Sequence, residues 1–319
     1  MAHKLRGISA KEAENVLKIS SLDSLVSVFE KTSSIRSRTF GENISTCSIV
    51  NARCGICPED CAFCAQSSVA KAKIERYPLI QEGVILDNAK SAERGGSSHY
   101  GIVCSGRAIN DQKDLSRICR SVEKIRKLTK ISPCASLGIL DSNSLRMLKD
   151  AGLKRYHHNL ESSRSFFAKI CSSRDYNSQI STVKEAKSIG LEVCSGGIFG
   201  MGETKKQRIE LLEQIRILDI DCVPLNFLNP IKGTPLENMN ELTPLECLKI
   251  IAAARLMMPE KSIRICGGRE KNLRDFQSWI FSAGADALMV GNYLVTSGRP
   301  LADDLQMIKD AGMKIKNII

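Results

Sequence analysis

Thr46-Cys-Ser-Ile-Val-Asn-Ala52, followed within five residues by Cys57-Pro-Glu-Asp-Cys61-Ala-Phe-Cys64, is the stretch on which the reading of this chain turns. A short run rich in β-branched residues reads as a buried strand, so the three cysteines fall on the loop that follows it. Runs of the same kind recur at Tyr100–Ser105, Pro133–Leu137, Arg155–Glu161, Glu192–Ile198, Val223–Leu228, Ser262–Gly267 and Ala287–Gly291. Amphipathic helices separate them. In Gln112–Thr129 the residues Leu115, Ile118, Cys119, Val122 and Ile125 share one face, the helical period. Asp141 is placed to cap Ser142–Ala151, with Gly152 at its stop; Thr204 precedes Lys205–Leu218; Thr243-Pro-Leu-Glu246 is a capping box with proline at the first helical position. Eight βα units in about 250 residues predict a closed (β/α)8 barrel of the TIM type, with an open doubly wound sheet as the alternative. A helical stretch at about Ala10–Phe40 precedes them. The chain therefore divides into an N-terminal helical extension, 1–42, and the barrel with a C-terminal helical tail, 43–319. Barrels of this kind carry their chemistry at the C-terminal ends of the strands, where the cysteine loop sits.

Composition narrows the function. A chain of 319 residues with 43% apolar content has room for one large α/β domain or two smaller ones. No apolar run is long enough to span a bilayer, so no membrane partner is expected. The net charge of +11 raises the question of nucleic acid. Yet the basic residues alternate with acids and apolar residues, as in Lys113–Lys130, and aromatic content is only 5%, too little for base stacking. The charge reads as solvated helix faces, part of it available to a carboxylate, a phosphate or an acidic electron donor. Met1-Ala-His-Lys-Leu-Arg-Gly lacks the apolar run of a leader, which predicts a cytoplasmic protein with reduced thiols. Thirteen cysteines in that setting favour metal or redox chemistry over disulfides.

Three thiolates spaced C-x3-C-x2-C do not complete a four-ligand site. They suit a 4Fe–4S cluster with three irons held by protein and one left open, since iron–sulfur clusters normally take four cysteines. A zinc site completed by Cys54, or plain core cysteines, are the competing readings. The triad Cys57, Cys61 and Cys64 resembles the signature of the radical S-adenosylmethionine (SAM) enzymes. The longer context Cys57-Pro-Glu-Asp-Cys61-Ala-Phe-Cys64-Ala-Gln-Ser-Ser68 is similar to the biotin synthase family, with likeness running from about Thr46 to Leu305-Gln306. The resemblance implies that the open iron chelates SAM and that the reduced cluster cleaves it to a 5′-deoxyadenosyl radical.

Cys104, Cys134 and Cys194 lie in the second, third and fifth candidate strands, where side chains could converge inside a barrel. Free cysteine is also a common small core residue. Arg264 and Cys266, two apart on one strand, share a face. In the biotin synthase family three cysteines and an arginine hold an auxiliary 2Fe–2S cluster, and Cys104, Cys134, Cys194 and Arg264 match those positions. Their segments match too: Cys134-Ala-Ser-Leu-Gly138, Cys194-Ser-Gly-Gly-Ile198 and Ser262-Ile-Arg-Ile-Cys-Gly-Gly-Arg-Glu270. Cys266 stands where the family pattern has serine. A guanidinium stays protonated and is a poor ligand; a neighbouring thiolate is a better one. Cys266 is therefore expected to ligate the auxiliary cluster, which is then either 2Fe–2S or a larger 4Fe type.

The same resemblance assigns the organic ligands. Gly196-Gly-Ile-Phe-Gly-Met-Gly-Glu203 is similar to the adenine-contacting segment around Ile198. Asn159 and Glu161 take the ribose hydroxyls, Phe63 packs on the adenine, and Arg174 takes the SAM carboxylate or a structural ion pair. Gln179 stands where a second arginine is often found. Asn226 faces the ureido ring of dethiobiotin, and His157 replaces an asparagine at the substrate. The implied reaction converts dethiobiotin to biotin, with hydrogen abstraction at C9 and C6 and sulfur from the auxiliary cluster. A flavodoxin- or ferredoxin-type donor and a homodimer are implied with it. Another radical SAM enzyme, such as a hydrogenase maturase or a lipoyl-type sulfur inserter, and a non-catalytic iron–sulfur carrier are the alternatives.

Overall fold

The computed structural model describes residues 5–55 and 57–316; Met1–Lys4, the start of the segment read above for a leader, lies outside them. The parallel strands are β1 (Asn43–Arg53), β2 (His99–Cys104), β3 (Ser132–Ser136), β4 (Arg155–His157), β5 (Glu192–Cys194), β6 (Gly197–Phe199), β7 (Cys222–Phe227), β8 (Ser262–Ile265), β9 (Ala287–Met289) and β10 (Lys314–Ile315). Hydrogen bonding runs β1-β2-β3-β4-β5-β7-β8-β9 and closes from β9 back to β1. The result is an eight-stranded closed barrel, as the repeating βα pattern predicts. β6 pairs with β7 above β5, and β10 adds to the start of β1.

Four of the expected strands are shorter than their apolar runs; β8 and β9 each end two residues early, and the other two have a visible cause. Glu192–Ile198 divides into β5 and β6 because Gly196 passes so close to β7 that a Cβ there would lie 1.9 Å from the Pro224 carbonyl oxygen. Arg155–Glu161 keeps only three strand residues. Beyond them the chain climbs over Gly196, which accepts from the amides of Leu160 and Glu161.

Local sequence sets the helix ends as expected. The Asp141 carboxylate accepts from Ser144 N at 2.8 Å, and Thr204/Gln207 and Thr243/Glu246 form reciprocal capping boxes. The N-terminal stretch is two helices, Ala10–Lys18 and Leu22–Phe40, because Ser9 and Ser21 each cap a new start. Both pack on the helix Pro244–Met257 that leads into β8. There Arg255, wholly buried, donates to Gly284 O at 2.8 Å and Lys261 O at 2.7 Å and pairs with Asp286 at 2.5 Å. Asp286 also accepts from Ile263 N and the Ser262 hydroxyl, so one buried ion pair fixes the entry to both β8 and β9. Among the described residues no helix is long and apolar enough to cross a membrane.

Candidate active site

Strand alternation decides which side chains enter the barrel. A cavity of about 340 Å³ opens along the axis. Near its mouth it is bordered by Phe63, Cys64, Asn159, Glu161, Ile198 and Asn226; deeper, by Cys47, Cys134, Arg155, Cys194, Arg264 and Cys266. His157 also faces it.

The cysteine loop follows β1 and is pinned by its own acids. Asp60 accepts from the amides of Ser172 and Ser173 at 3.0 and 3.1 Å, and Glu59 accepts from the Ser173 hydroxyl at 2.5 Å. A turn closed by Cys64 N donating to Cys61 O at 3.1 Å brings the last two thiols to one side. Arg174, on the loop that Asp60 grips, donates from Nη2 to Cys61 Sγ at 3.3 Å, and its buried Nε has no partner. Cys171 Sγ lies 3.8 Å from Cys61 Sγ. That thiol contact and burial hold Cys61 protonated against the pull of Arg174, and burial pushes Cys64 up to about 11. Iron, which binds thiolate, would displace those protons. Cys54, the fourth ligand of the zinc reading, sits instead in a backbone bridge to Tyr77, with Asn51 and Glu75 as its polar neighbours.

The pair Asn159 and Glu161, expected at the ribose, is built on a strained residue. Glu161 has φ of 66°, rare for a residue with a side chain and typical of functional positions. Its backbone is held on both sides, by Gly196 O and by Ile198 N, the latter at 2.9 Å. Gly197 has to be glycine, since a Cβ would stand 2.5 Å from Glu161 O. Asn159 donates to Glu161 Oε2 at 3.2 Å and accepts from Gly196 N at 3.1 Å, while Gln179 donates to Asn159 O at 3.0 Å. Gln179 thus supports this pair from behind. Burial raises the Glu161 carboxyl, opposed by Arg174 and His157. His157 is itself held neutral by burial. Asn226 is oriented by Gly197 O and Gly267 N, leaving one N–H and one lone pair for a ligand.

Deeper in the barrel the expected ligands separate. Cys134, Cys194, Arg264 and Cys266 come together around the cavity. Cys104 does not. Gly101 and Val103 of β2 border the cavity, so Cys104 falls on the other face with Ile102 and Tyr100. Tyr100 OH donates outward to Ile85 O, and the charged neighbours of Cys104 are Arg53 and Asp114, on the helix Gln112–Leu128. The expected convergence of Cys104 on the interior is corrected by the parity of its strand. Two residues without a sequence signal take part instead: Cys47, inward on β1 with Ile49, and Arg155, inward on β4. A cysteine at an inward strand position was the available clue to Cys47. Among the described residues no three His, Cys, Asp or Glu side chains close around a single ion; these thiols are arrayed around a cavity.

Sequence comparison shows the family. Residues 53–215 match the Radical SAM superfamily, and residues 224–314 match the Biotin and Thiamin Synthesis associated domain. The biotin synthase of Pelobacter propionicus is 54% identical over 90% of this chain and 88% of its own length. That of Geotalea daltonii is 50% identical over 95% and 92%. The chain belongs to the biotin synthase family. In fold it is similar to methylornithine synthase, with a TM-score of 0.85 at 20% identity over 98% of this chain and 95% of that one. The family implies a 4Fe–4S cluster, SAM and an auxiliary iron–sulfur cluster. The donor chemistry fits all three: three thiols on one loop beside Arg174, a backbone cradle at Gly196-Gly197 facing Asn159 and Glu161, and thiols with two buried guanidiniums deeper in the barrel.

Proposed function

We propose that this chain converts dethiobiotin to biotin by radical SAM chemistry. The observation that carries the reading is two cysteine sets on one barrel, a loop triad after the first strand and thiols around the axial cavity, with Cys64, Asn159, Glu161 and Asn226 bordering that same cavity. When bound, the mouth cluster supplies the electron that cleaves SAM to the hydrogen-abstracting radical, and the auxiliary cluster supplies sulfur.

The side chains bind, orient and exclude water. Cys57, Cys61 and Cys64 hold the mouth cluster. Arg174 offers a cation to the SAM carboxylate, and its unpartnered Nε leaves capacity for an anion. Asn159 and Glu161 accept the ribose hydroxyls, Ile198 and Phe63 flank the adenine, and Asn226 presents donor and acceptor together, as a cyclic urea requires. His157, neutral, faces the substrate as a hydrogen-bonding group. Below, Cys134 and Cys194 hold the auxiliary cluster, and Cys266, beside Arg264, adds a thiolate to it. Placing substrate between the two groups lets the cofactors do the chemistry while the barrel wall excludes solvent. A flavodoxin- or ferredoxin-type electron donor, a homodimer and a cytoplasmic setting belong to the same proposal.

Anaerobic incubation of the reconstituted protein with SAM, reductant and dethiobiotin tests it. Biotin and 5′-deoxyadenosine are expected together. Deoxyadenosine without biotin would assign the chain another substrate, and neither product would overturn the reading.

A further inference from the structure

The barrel interior holds more thiol and more positive charge than the family resemblance accounts for. Cys47 borders the cavity from β1, and β2, the next strand, offers no thiol there: its residues of inward parity are His99, in register with Cys47, and Gly101 and Val103, which border the cavity. Gly101 is in register with Ile49 on one side and Cys134 on the other. The place a Gly101 Cβ would take is met by Ile49 Cγ2 at 3.0 Å. Cys266 reaches the same cavity from just after β8 and Cys194 from β5.

Arg155 and Arg264 are also set among these thiols. Arg155 is in register with Cys134, and Arg264 is two residues from Cys266 and donates to Ser45 Oγ, one alternation below Cys47, at 3.3 Å. Among the described residues Arg264 has no carboxylate partner and its Nε is buried without a hydrogen-bond partner, whereas Arg155 is paired with Glu192 at 2.7 Å and only its Nη1 is unpartnered. A buried cation without a carboxylate, as Arg264 is, is costly. Neutral thiols do not offset it, whereas an iron–sulfur core held by thiolates is an anion. The foremost thiol neighbour of both guanidiniums is Cys222, in register with Cys194 but not bordering the cavity; after it come Cys47, Cys194 and Cys266 for Arg264, and Cys134 and Cys194 for Arg155.

We propose that Cys47, Cys134, Cys194 and Cys266 form an all-cysteine site for the auxiliary cluster, with Arg155 and Arg264 as its counter-charges and Cys104 outside it. The ligand from the β2 side of the barrel is moved to β1. This assignment rests on the auxiliary-cluster reading above. It makes Arg264 a positioning residue that acts through charge.

Wild type, Cys47→Ala and Cys104→Ala, purified without oxygen and reconstituted, are to be compared by iron and sulfide content and by Mössbauer spectroscopy. SAM cleavage to 5′-deoxyadenosine reports on the mouth cluster and on folding. Cys104→Ala is expected to keep both clusters. Cys47→Ala is expected to keep the mouth cluster and SAM cleavage while losing the second Mössbauer component. A second component retained in Cys47→Ala, or lost in Cys104→Ala, overturns the ligand assignment alone. A wild type with only one cluster overturns the auxiliary-cluster reading itself. Should Cys47→Ala not fold, Cys47→Ser replaces it: a changed isomer shift in the second component is expected, and an unchanged one overturns the assignment.

Discussion

The mouth and the floor of the barrel hold their cysteines in opposite ways. At the mouth, Cys57, Cys61 and Cys64 lie within eight residues of one loop, pinned by Asp60 and Glu59 to the loop 171–174. At the floor, Cys47, Cys134 and Cys194 come from three different strands and Cys266 from the residue just after β8. A loop motif keeps its geometry wherever its loop is anchored. A floor site exists only while the whole barrel is closed and in register, because a shift of one residue turns a strand's side chains to the other face.

The sharpest way to break the comparison is to remove one thiol from each level. Cys61→Ala should abolish SAM cleavage and biotin formation together. Cys134→Ala should abolish biotin formation while deoxyadenosine is still made. Product analysis by chromatography checks both, and loss of cleavage in Cys134→Ala would show that the levels are not separable.

A second test attacks the register of the floor without touching a thiol. Asp286→Ala leaves Arg255 buried and unpaired and frees the entries to β8 and β9. Losing one partner of a buried pair costs about 3–5 kcal/mol. Thermal unfolding should fall by several degrees, and the floor cluster should become labile to chelator before the mouth cluster does. Simultaneous loss of both would contradict the two-level picture.

Between the levels, Glu161→Ala should raise the KM for SAM. Hydrogen bonds to a charged group are worth about 1.5–3 kcal/mol, so the expected change is roughly 10- to 100-fold, with both clusters still present by Mössbauer spectroscopy. An unchanged KM would remove Glu161 from the SAM site.

The smallest effect is expected at Asp60. The Ser172 hydroxyl and the amides of Ser172 and Ser173 hold its carboxyl well below the ordinary range. A depressed carboxyl adds stability that is whole above its unfolded pKa of about 3.9 and is lost as pH falls toward the folded value. Asp60→Asn should therefore lower the unfolding temperature slightly at neutral pH, and the gap to wild type should shrink below about pH 4. A gap that widened in acid would reverse the assignment.

The eight βα units, the helix caps and the loop triad were legible in sequence, because each is set by residues a few positions apart. Asp141, Thr204 and Thr243 cap where their local patterns predict. Cys266 and Arg264 share a face because they are two apart on one strand. Cys104 was misplaced because resemblance in the surrounding segment does not fix strand parity, and Gly101 and Val103 hold the inward positions. Cys47 and Arg155 carry no signal in the sequence because neither has a partner nearby in it.

The sequence by itself determined the barrel, the triad at the end of its first strand, and the family to which the chain belongs. These follow from short-range periodicity and spacing, which survive without knowledge of the rest of the fold. Only the tertiary structure decided which thiols meet at the floor, that Arg155 joins Arg264 there, and that Glu161 is held in a left-handed conformation by Gly196 and Ile198. Those are contacts between strands far apart in the chain, and their geometry depends on barrel closure and register rather than on any local run of residues.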